Sequence, residues 1–469
     1  MARFLLIGFC ALVGCARATP PNVLLIVVDT LRADRLGWYG PNGNLTPFLD
    51  SLAAHGHVAW NAYATVSWTA PSVASLWTSR YPSQHGVTAF GSVLAASELT
   101  LAEILGQRGY ATGGFSANPL LSTYLGYAQG FEHYEIFPRD GAASEGFWMT
   151  KGRADEIERA ALAWLDTLGH GAHPGRPVFL YLQYMETHFP YHPPEDIVPA
   201  ALGRRGDPAL AERTGRDMFL TDAGKRRWAH PDKDALDFIQ DLYDAEVMGL
   251  DRELRGFFAA LESRGLLANA VVVVTADHGE EFRDHEGLGH GSTLYNEVLR
   301  VPVLLVLPGE TRRTDLRDAL SLVDVTPTLL DLIGAPAPPS LEGHSFAAAL
   351  RPKSLRDRLR DVVAAPSPRA AYAELVTTSD GKPSTRHRHA IVVGTRKLIV
   401  DADGAAEGFE LGADPHEKAP HALAGDDERV LRTALEHFGR TLQAPSAHER
   451  VELDEVTKKR LRALGYVDH

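Results

Sequence analysis

At 469 residues the chain is long enough for one large domain, or for one large and one small. An apolar share of 45% with 23% charged residues describes a globular protein and excludes a disordered or membrane-embedded one. The 47 Lys and Arg stand against 60 Asp and Glu, a net charge of −13 with no basic stripe to relieve it. This excludes a surface built to grip nucleic acid and points to a small or neutral substrate.

The chain opens with Arg3 and the apolar run Phe4 to Leu12, the layout of a signal peptide and too short for a stop-transfer span. Both cysteines, Cys10 and Cys15, fall here, and Leu12-Val13-Gly14-Cys15 resembles a bacterial lipobox. Residues 1–14 are therefore expected to be a signal peptide, and 15–20 a lipidated N-terminus with a short linker. The alternative is an ordinary cleaved signal with an incidental Cys. Lipidation of Cys15 implies a protein of the bacterial cell envelope, tethered to a membrane on the periplasmic or outer-membrane face. It also leaves the mature body without a disulfide or a thiolate metal site.

Asn22 to Val28 is a continuous β-branched and aliphatic run, as a strand buried on both faces requires. Helical patterns come next at Ser72 to Thr78, Leu101 to Gly109 and Ala154 to Leu168, then a shorter apolar strand at Val178 to Leu182. The polar stretch Gly203 to Lys233 reads as a surface insertion and Ala235 to Arg264 as a helix. Ala270 to Thr275 and Val301 to Val306 are again apolar strands. Strands alternating with helices predict an α/β fold: a mostly parallel central sheet sandwiched by helices, over residues 21–338. From about Ser340 the pattern shortens. Ala390 to Val393, Lys397 to Val400 and Gly408 to Leu411 read as antiparallel strands with an Asp403-Gly404 turn. With the helix Asp426 to Leu442 they predict a smaller C-terminal α+β subdomain over 339–445, followed by a helical tail over 446–469.

Sheets of this kind bind ligands beyond the carboxyl ends of their strands. The runs end in Asp29-Thr30, in Glu186-Thr187-His188 and in Asp277-His278-Gly279-Glu280, so acids and imidazoles collect at one edge. A cation would relieve the repulsion between Asp29 and Asp277. One imidazole among oxygens suits Mn²⁺ or Zn²⁺, and an oxygen-only set suits Ca²⁺ or Mg²⁺. The alternative is that Asp29 caps a turn and His278 is a buried, hydrogen-bonded histidine. Thr69 before Ala70-Pro71 reads as an N-cap; as a nucleophile it would use the same helix N-terminus to meet an anion. In the loop from His278 to His290 the carboxylates read as a solvated face. His285 and His290, with His188, are candidate ligands or proton donors.

These residues resemble the sulfatase family of the alkaline phosphatase superfamily. Pro21 to Asp34 is similar to its opening strand and first metal ligand, and Pro71-Ser72, Leu76 and Thr78-Ser79-Arg80-Tyr81-Pro82 to its signature. Thr275 to Glu280 is similar to its second metal motif, and His290-Gly291, Arg300-Val301-Pro302, Asp324 to Thr328, Leu341-Glu342-Gly343 and Asp414 to Glu417 continue the match. The resemblance implies a divalent metal (Mn, Zn, Ca or Mg) held by Asp29, Asp277 and His278, with Thr30 at the place of a further aspartate. It also implies substrate contacts from Arg80 and His285, and His188 and His290 in catalysis. The departures redirect the chemistry. The family's Cys/Ser-x-Pro-x-Arg, whose first residue becomes formylglycine, reads Thr69-Ala70-Pro71-Ser72-Val73, and Gly109 to Asn118 holds no lysine. The later sulfate-contacting lysine is replaced by His290. The resemblance thus implies a hydrolase or transferase acting through Thr69 on a small-molecule, glycan or lipid-headgroup ester, phosphate favoured over sulfate. The alternatives are a conventional, arylsulfatase-like sulfuric ester hydrolase and a catalytically degenerate binding protein for a glycan or lipid headgroup.

Overall fold

The computed structural model of the protein describes residues 19–40, 45–137, 151–169, 176–201, 231–351, 369–379, 382–421, 425–441 and 450–453, with 455 and 458. Cys15 and the expected signal segment, nearly all of the expected 203–233 insertion and most of the expected tail helix lie outside them. Among the described residues no helix is long and apolar enough to cross a membrane.

The strands in chain order are β1 (Asn22–Val28), β2 (His57–Tyr63), β3 (Ala111–Ser116), β4 (His133–Ile136), β5 (Val178–Tyr184) and β6 (Ala270–Ala276). A two-residue hairpin, β7 (Glu281–Phe282) and β8 (Leu288–Gly289), precedes β9 (Arg300–Val306) and β10 (Thr314–Ser321). The last four are β11 (Ala370–Ser379), β12 (Lys382–Val393), β13 (Arg396–Val400) and β14 (Ala406–Glu410). Eight of them form one sheet in the order β10-β2-β9-β6-β1-β5-β3-β4. β1 sits between β5 and β6 and is parallel to both. Its residues from Val23 to Val28 are almost wholly buried, which is why the sequence there is apolar without alternation. Each such side chain contributes about 1.5–3 kcal/mol by leaving water.

The α/β architecture is as expected, and the helices Ala154–Thr167 and Lys233–Ser263 lie within a few residues of their predicted bounds. β9 departs from the parallel expectation, pairing antiparallel with both β6 and β2. Periodicity carries no direction, so its apolar run reads the same either way. β2, β3, β4 and β10 have no counterpart among the predicted strands. β3 holds Gly113 and Gly114, which depress its strand signal and yet serve the packing. A Cβ on Gly113 would stand 2.4 Å from the Trp164 ring, and one on Gly114 2.5 Å from Tyr134. β10 is an edge strand with a half-polar sequence.

β11 to β14 form a separate antiparallel sheet, closed between β13 and β14 by the Asp403-Gly404 turn. The helix Gly425–Thr441 covers it, setting Leu431 against Ile391 and Leu398. A buried ion pair within this subdomain, bonded in turn to Asn296, ties the sheet to the loop between β6 and β9. Lys397 of β13 meets Glu417 at 2.7 Å with neither side chain exposed, and Lys397 also donates to Asn296 Oδ1 at 3.0 Å. Removing one partner of such a pair leaves an uncompensated buried charge. Lys397→Ala is expected to lower stability by about 3–5 kcal/mol, read as a lower urea midpoint; an unchanged midpoint would show the pair to be idle.

Candidate active site

The site is set first by register. Val28 pairs with Tyr184 and with Ala276, so β1, β5 and β6 end level. Neighbouring strands lie about 4.8 Å apart, and the next residues, Asp29 and Asp277, therefore emerge side by side. Asp29 N–H extends the ladder by donating to Tyr184 O at 2.9 Å. The helix Thr69–Thr78 reaches the same point from β2, all ten of its residues buried, and Ser72 Oγ donates to Asp277 O at 2.6 Å. The helix starts one residue earlier than a capping threonine would require: Trp68 is the extended N-cap, and it makes no side-chain cap bond. Thr69 is thereby freed from capping. Its hydroxyl lies 3.3 Å from Asp29 Oδ2 and 3.3 Å from His278 Nε2.

Asp29, Asp277 and His278 offer ligand atoms within 4.8 Å of one another, and all three are fully buried. His278 Nδ1 donates to Gly279 O at 2.9 Å, so in the neutral ring the Nε2 lone pair faces Asp29 Oδ1 at 3.6 Å and Asp277 Oδ2 at 3.8 Å. Among the described residues Asp29 Oδ1 has no hydrogen-bond partner. Burial, and for Asp29 the adjoining Asp277 charge, pushes both carboxyls up to about 7. Burial and the neighbouring His290 push His278 down to about 4. Converging lone pairs and an orphaned carboxylate oxygen fit a divalent cation, which would relieve the repulsion and lend the site Lewis-acid character.

Two further predicted histidines join this cluster. His290 lies against His278, ring centroids 4.5 Å apart, and against His188 at 5.0 Å. His290 is bonded through Nδ1 to Glu280 at 2.9 Å, and burial pushes it down to about 4. His188 donates through Nδ1 to Phe189 O at 2.5 Å. Burial and the neighbouring His290 hold His188 well below the ordinary range.

Other expectations are corrected. Thr30 turns its hydroxyl back to Asp29 O at 2.7 Å and instead offers its N–H to Asp277 Oδ1 at 3.3 Å, from a left-handed backbone at φ 59. That conformation costs a β-branched residue about 1–3 kcal/mol. Arg80 lies just past the helix at its far end, about 15 Å from Thr69 at 1.5 Å per residue. Its guanidinium closes on both oxygens of Glu98 at 2.7 Å. His285 bonds Glu297 at 2.6 Å and Glu417 O at 2.9 Å and stacks on Tyr295, so it clamps the loop to the small sheet rather than joining the cluster. With both nitrogens facing acceptors its pKa is raised, despite partial burial. Nor are all the loop acids a solvated face: Glu280 and Glu281 are 2% and 1% exposed, while Asp284 is half-buried and Glu286 exposed.

Three contributors had no predicted role. Asn118 Nδ2 donates to Asp29 Oδ2 at 2.6 Å and to Thr69 Oγ1 at 3.3 Å, and Gln183 Nε2 to Asp277 Oδ2 at 3.3 Å. Lys151 donates to the carbonyls of Glu186 and His188, 2.8 Å each, fixing the turn that carries His188. Asn118 lies two residues past β3, so the strand-end rule would have found it had β3 been recognised.

A nearly parallel sheet with this cluster at its carboxyl edge defines a hydrolase of the alkaline phosphatase superfamily. The family model described as Sulfatase matches residues 21–335. The chain belongs to the sulfatase family. Human arylsulfatase A is 29% identical over 401 residues, covering 74% of this chain and 71% of that one. The arylsulfatase of Clostridium perfringens is 25% identical over 380 residues, covering 70% and 77%. The fold is shared with an enzyme solved in complex with its substrate D-glucosamine-2-N,6-O-disulfate, with TM-score 0.71, 20% identity and coverage of 90% of this chain and 98% of that one. It is shared also with the phosphonate monoester hydrolase of Agrobacterium radiobacter, with TM-score 0.66, 21% identity and coverage of 93% and 98%.

A cation must meet ionised carboxyls, and Asp29 and Asp277 hold their protons up to about 7. Metal binding is therefore expected to release protons and to tighten as pH rises from about 6 to 8. Calorimetry with Zn²⁺ or Mn²⁺ in buffers of different ionisation enthalpy measures both effects, and an affinity flat across that window would detach these residues from the metal.

Proposed function

We propose that this sulfatase-family hydrolase acts through Thr69 as nucleophile on a phosphate ester, by hydrolysis or by transfer to an acceptor hydroxyl. The observation that carries the reading is the position of Thr69 Oγ1, 3.3 Å from Asp29 Oδ2 and from His278 Nε2 at the start of a buried helix. Asp29, Asp277 and His278 hold the divalent ion, and Asn118 orients the hydroxyl. His290 and His188 are uncharged at neutral pH. His290, bonded at Nδ1 to Glu280, whose carboxyl burial holds protonated up to about 8, offers an Nε2–H to the ester oxygens. His188, whose Nδ1 proton goes to Phe189 O, instead keeps an Nε2 lone pair that accepts a proton. In the first step Thr69 Oγ gives up its proton and bonds to phosphorus, the P–O bond to the alcohol breaks, and the alcohol leaves carrying that proton. In the second, water or an acceptor hydroxyl attacks the phosphothreonine and frees Thr69.

Phosphate is favoured because a threonine oxygen has no route to the aldehyde hydrate by which the formylglycine members of the family release sulfate. Val73 also stands where those members carry the supporting Arg. The likeness to a phosphonate monoester hydrolase accords with this reading. The arylsulfatases among the relatives favour the second reading, a sulfuric ester hydrolase.

Thr69→Ala is expected to lower kcat/KM by about 10³-fold or more while metal content and melting temperature hold. Retained turnover in that variant overturns the nucleophile, and parallel assays on aryl phosphates and aryl sulfates decide between the esters. For location we propose a lipid anchor at Cys15 in the cell envelope. Cys15→Ala should move the protein from the membrane to the soluble fraction, and an unmodified Cys15 by mass spectrometry would remove the anchor.

A further inference from the structure

The residue before Thr69 is a tryptophan, and its ring is not alone. Trp68 and Phe90 lie with centroids 5.0 Å apart and planes at 45°. Trp68 is 7% exposed, whereas Phe90, which lies over it, is 37% exposed. Two independent landmarks set Trp68 beside the cluster. Trp68 is joined to Thr69 through the chain, and a Cβ built on Gly291, the neighbour of His290, would lie 3.7 Å from Trp68 Cβ. Trp68 therefore borders the cluster on both the nucleophile side and the histidine side, and Phe90 extends it toward solvent.

The loop that carries Phe90 is held by the far end of the chain. Val451 N–H donates to Gly91 O at 3.0 Å, and Ser92 and Arg450 form an antiparallel bridge. Gly91 has φ +76, and a Cβ there would come 2.7 Å from Val451 O, so the approach depends on glycine. A single exposed aromatic on a protein surface needs no explanation. This one is stacked on the residue before the nucleophile and propped by a backbone contact from residues more than 350 positions away in sequence.

We propose that Trp68 and Phe90 form the subsite for the organic group of the ester, receiving a flat apolar face: an aryl ring, or the C–H face of a saturated ring such as a pyranose. The assignment rests on Thr69 marking the reacting centre. Tilted aromatic contacts add to the burial of area alone and correspond to about 3- to 10-fold in affinity.

The test is equilibrium binding to the full-length, metal-loaded protein of three anions that carry no ester bond: methylphosphonate, phenylphosphonate and cyclohexylphosphonate. The wild type is expected to prefer the phenyl or cyclohexyl probe over methyl by about tenfold, and Phe90→Ala to reduce that preference to about 2–3-fold with methylphosphonate binding unchanged. Phe90→Trp should retain it. A preference for phenyl alone assigns an aryl group, and one shared with cyclohexyl assigns a C–H face. Equal preference in wild type and Phe90→Ala overturns the subsite. Because binding needs no turnover, an active Thr69→Ala alongside a lost preference in Phe90→Ala would remove the nucleophile and leave the subsite standing.

Discussion

Asp29 and Asp277 leave adjacent strands at the same level, fully buried, and their mutual repulsion shapes what surrounds them. Two unit charges about 5 Å apart repel by about 3 kcal/mol at an effective dielectric near 20. The protein answers mainly with neutral donors: Asn118 on Asp29, and the N–H groups of Thr30 and His278 with Gln183 on Asp277. Arg32, three residues after Asp29, is committed to Asp34 and Asp284. Charge balance at the strand ends is thus left to an ion, and the left-handed Thr30 is strain accepted to bring one more N–H to bear.

The antiparallel course of β9 has the same functional sense. A parallel successor to β6 would have needed a crossover that carried the chain to the far end of the sheet. β9 instead begins at the edge where β6 ends, so the intervening loop stays over the strand ends and can deliver His290 to His278. That loop is fastened twice to the small sheet and its neighbourhood, by Lys397 with Glu417 and Asn296 and by His285 with Glu297 and Glu417. Among the described residues the small sheet contributes no ligand to the cluster, yet it fixes the loop that does.

The proposed nucleophile and the proposed apolar wall come from one short segment. Trp68 as N-cap frees the Thr69 hydroxyl from helix capping and at the same time carries an indole that meets Phe90. Around the hydroxyl stand three imidazoles held neutral by burial, in place of the cationic side chains that the family's sulfate chemistry uses. A cluster that fits a divalent ion would draw its positive charge from that ion.

Asp29, Asp277 and His278 were legible in the sequence because a buried parallel strand announces itself by unbroken apolarity, and the residues just past its end must sit at the ligand-binding edge. His188 and His290 emerged from the same rule and from spacing. Asn118 stayed hidden because two glycines that admit Trp164 and Tyr134 also erase the strand signal of β3. Arg80, His285 and Thr30 carried the right chemistry in the right motifs. Contacts elsewhere claimed them: Glu98 for the first, Glu297 and Glu417 for the second, and its own neighbour's carbonyl for the third. Local sequence determines which groups stand at the strand ends, because strand length and burial are local properties. Which way a side chain turns, and whether its charge is already spent, was decided only by the partners that folding brings to it, many of them from more than 100 residues away.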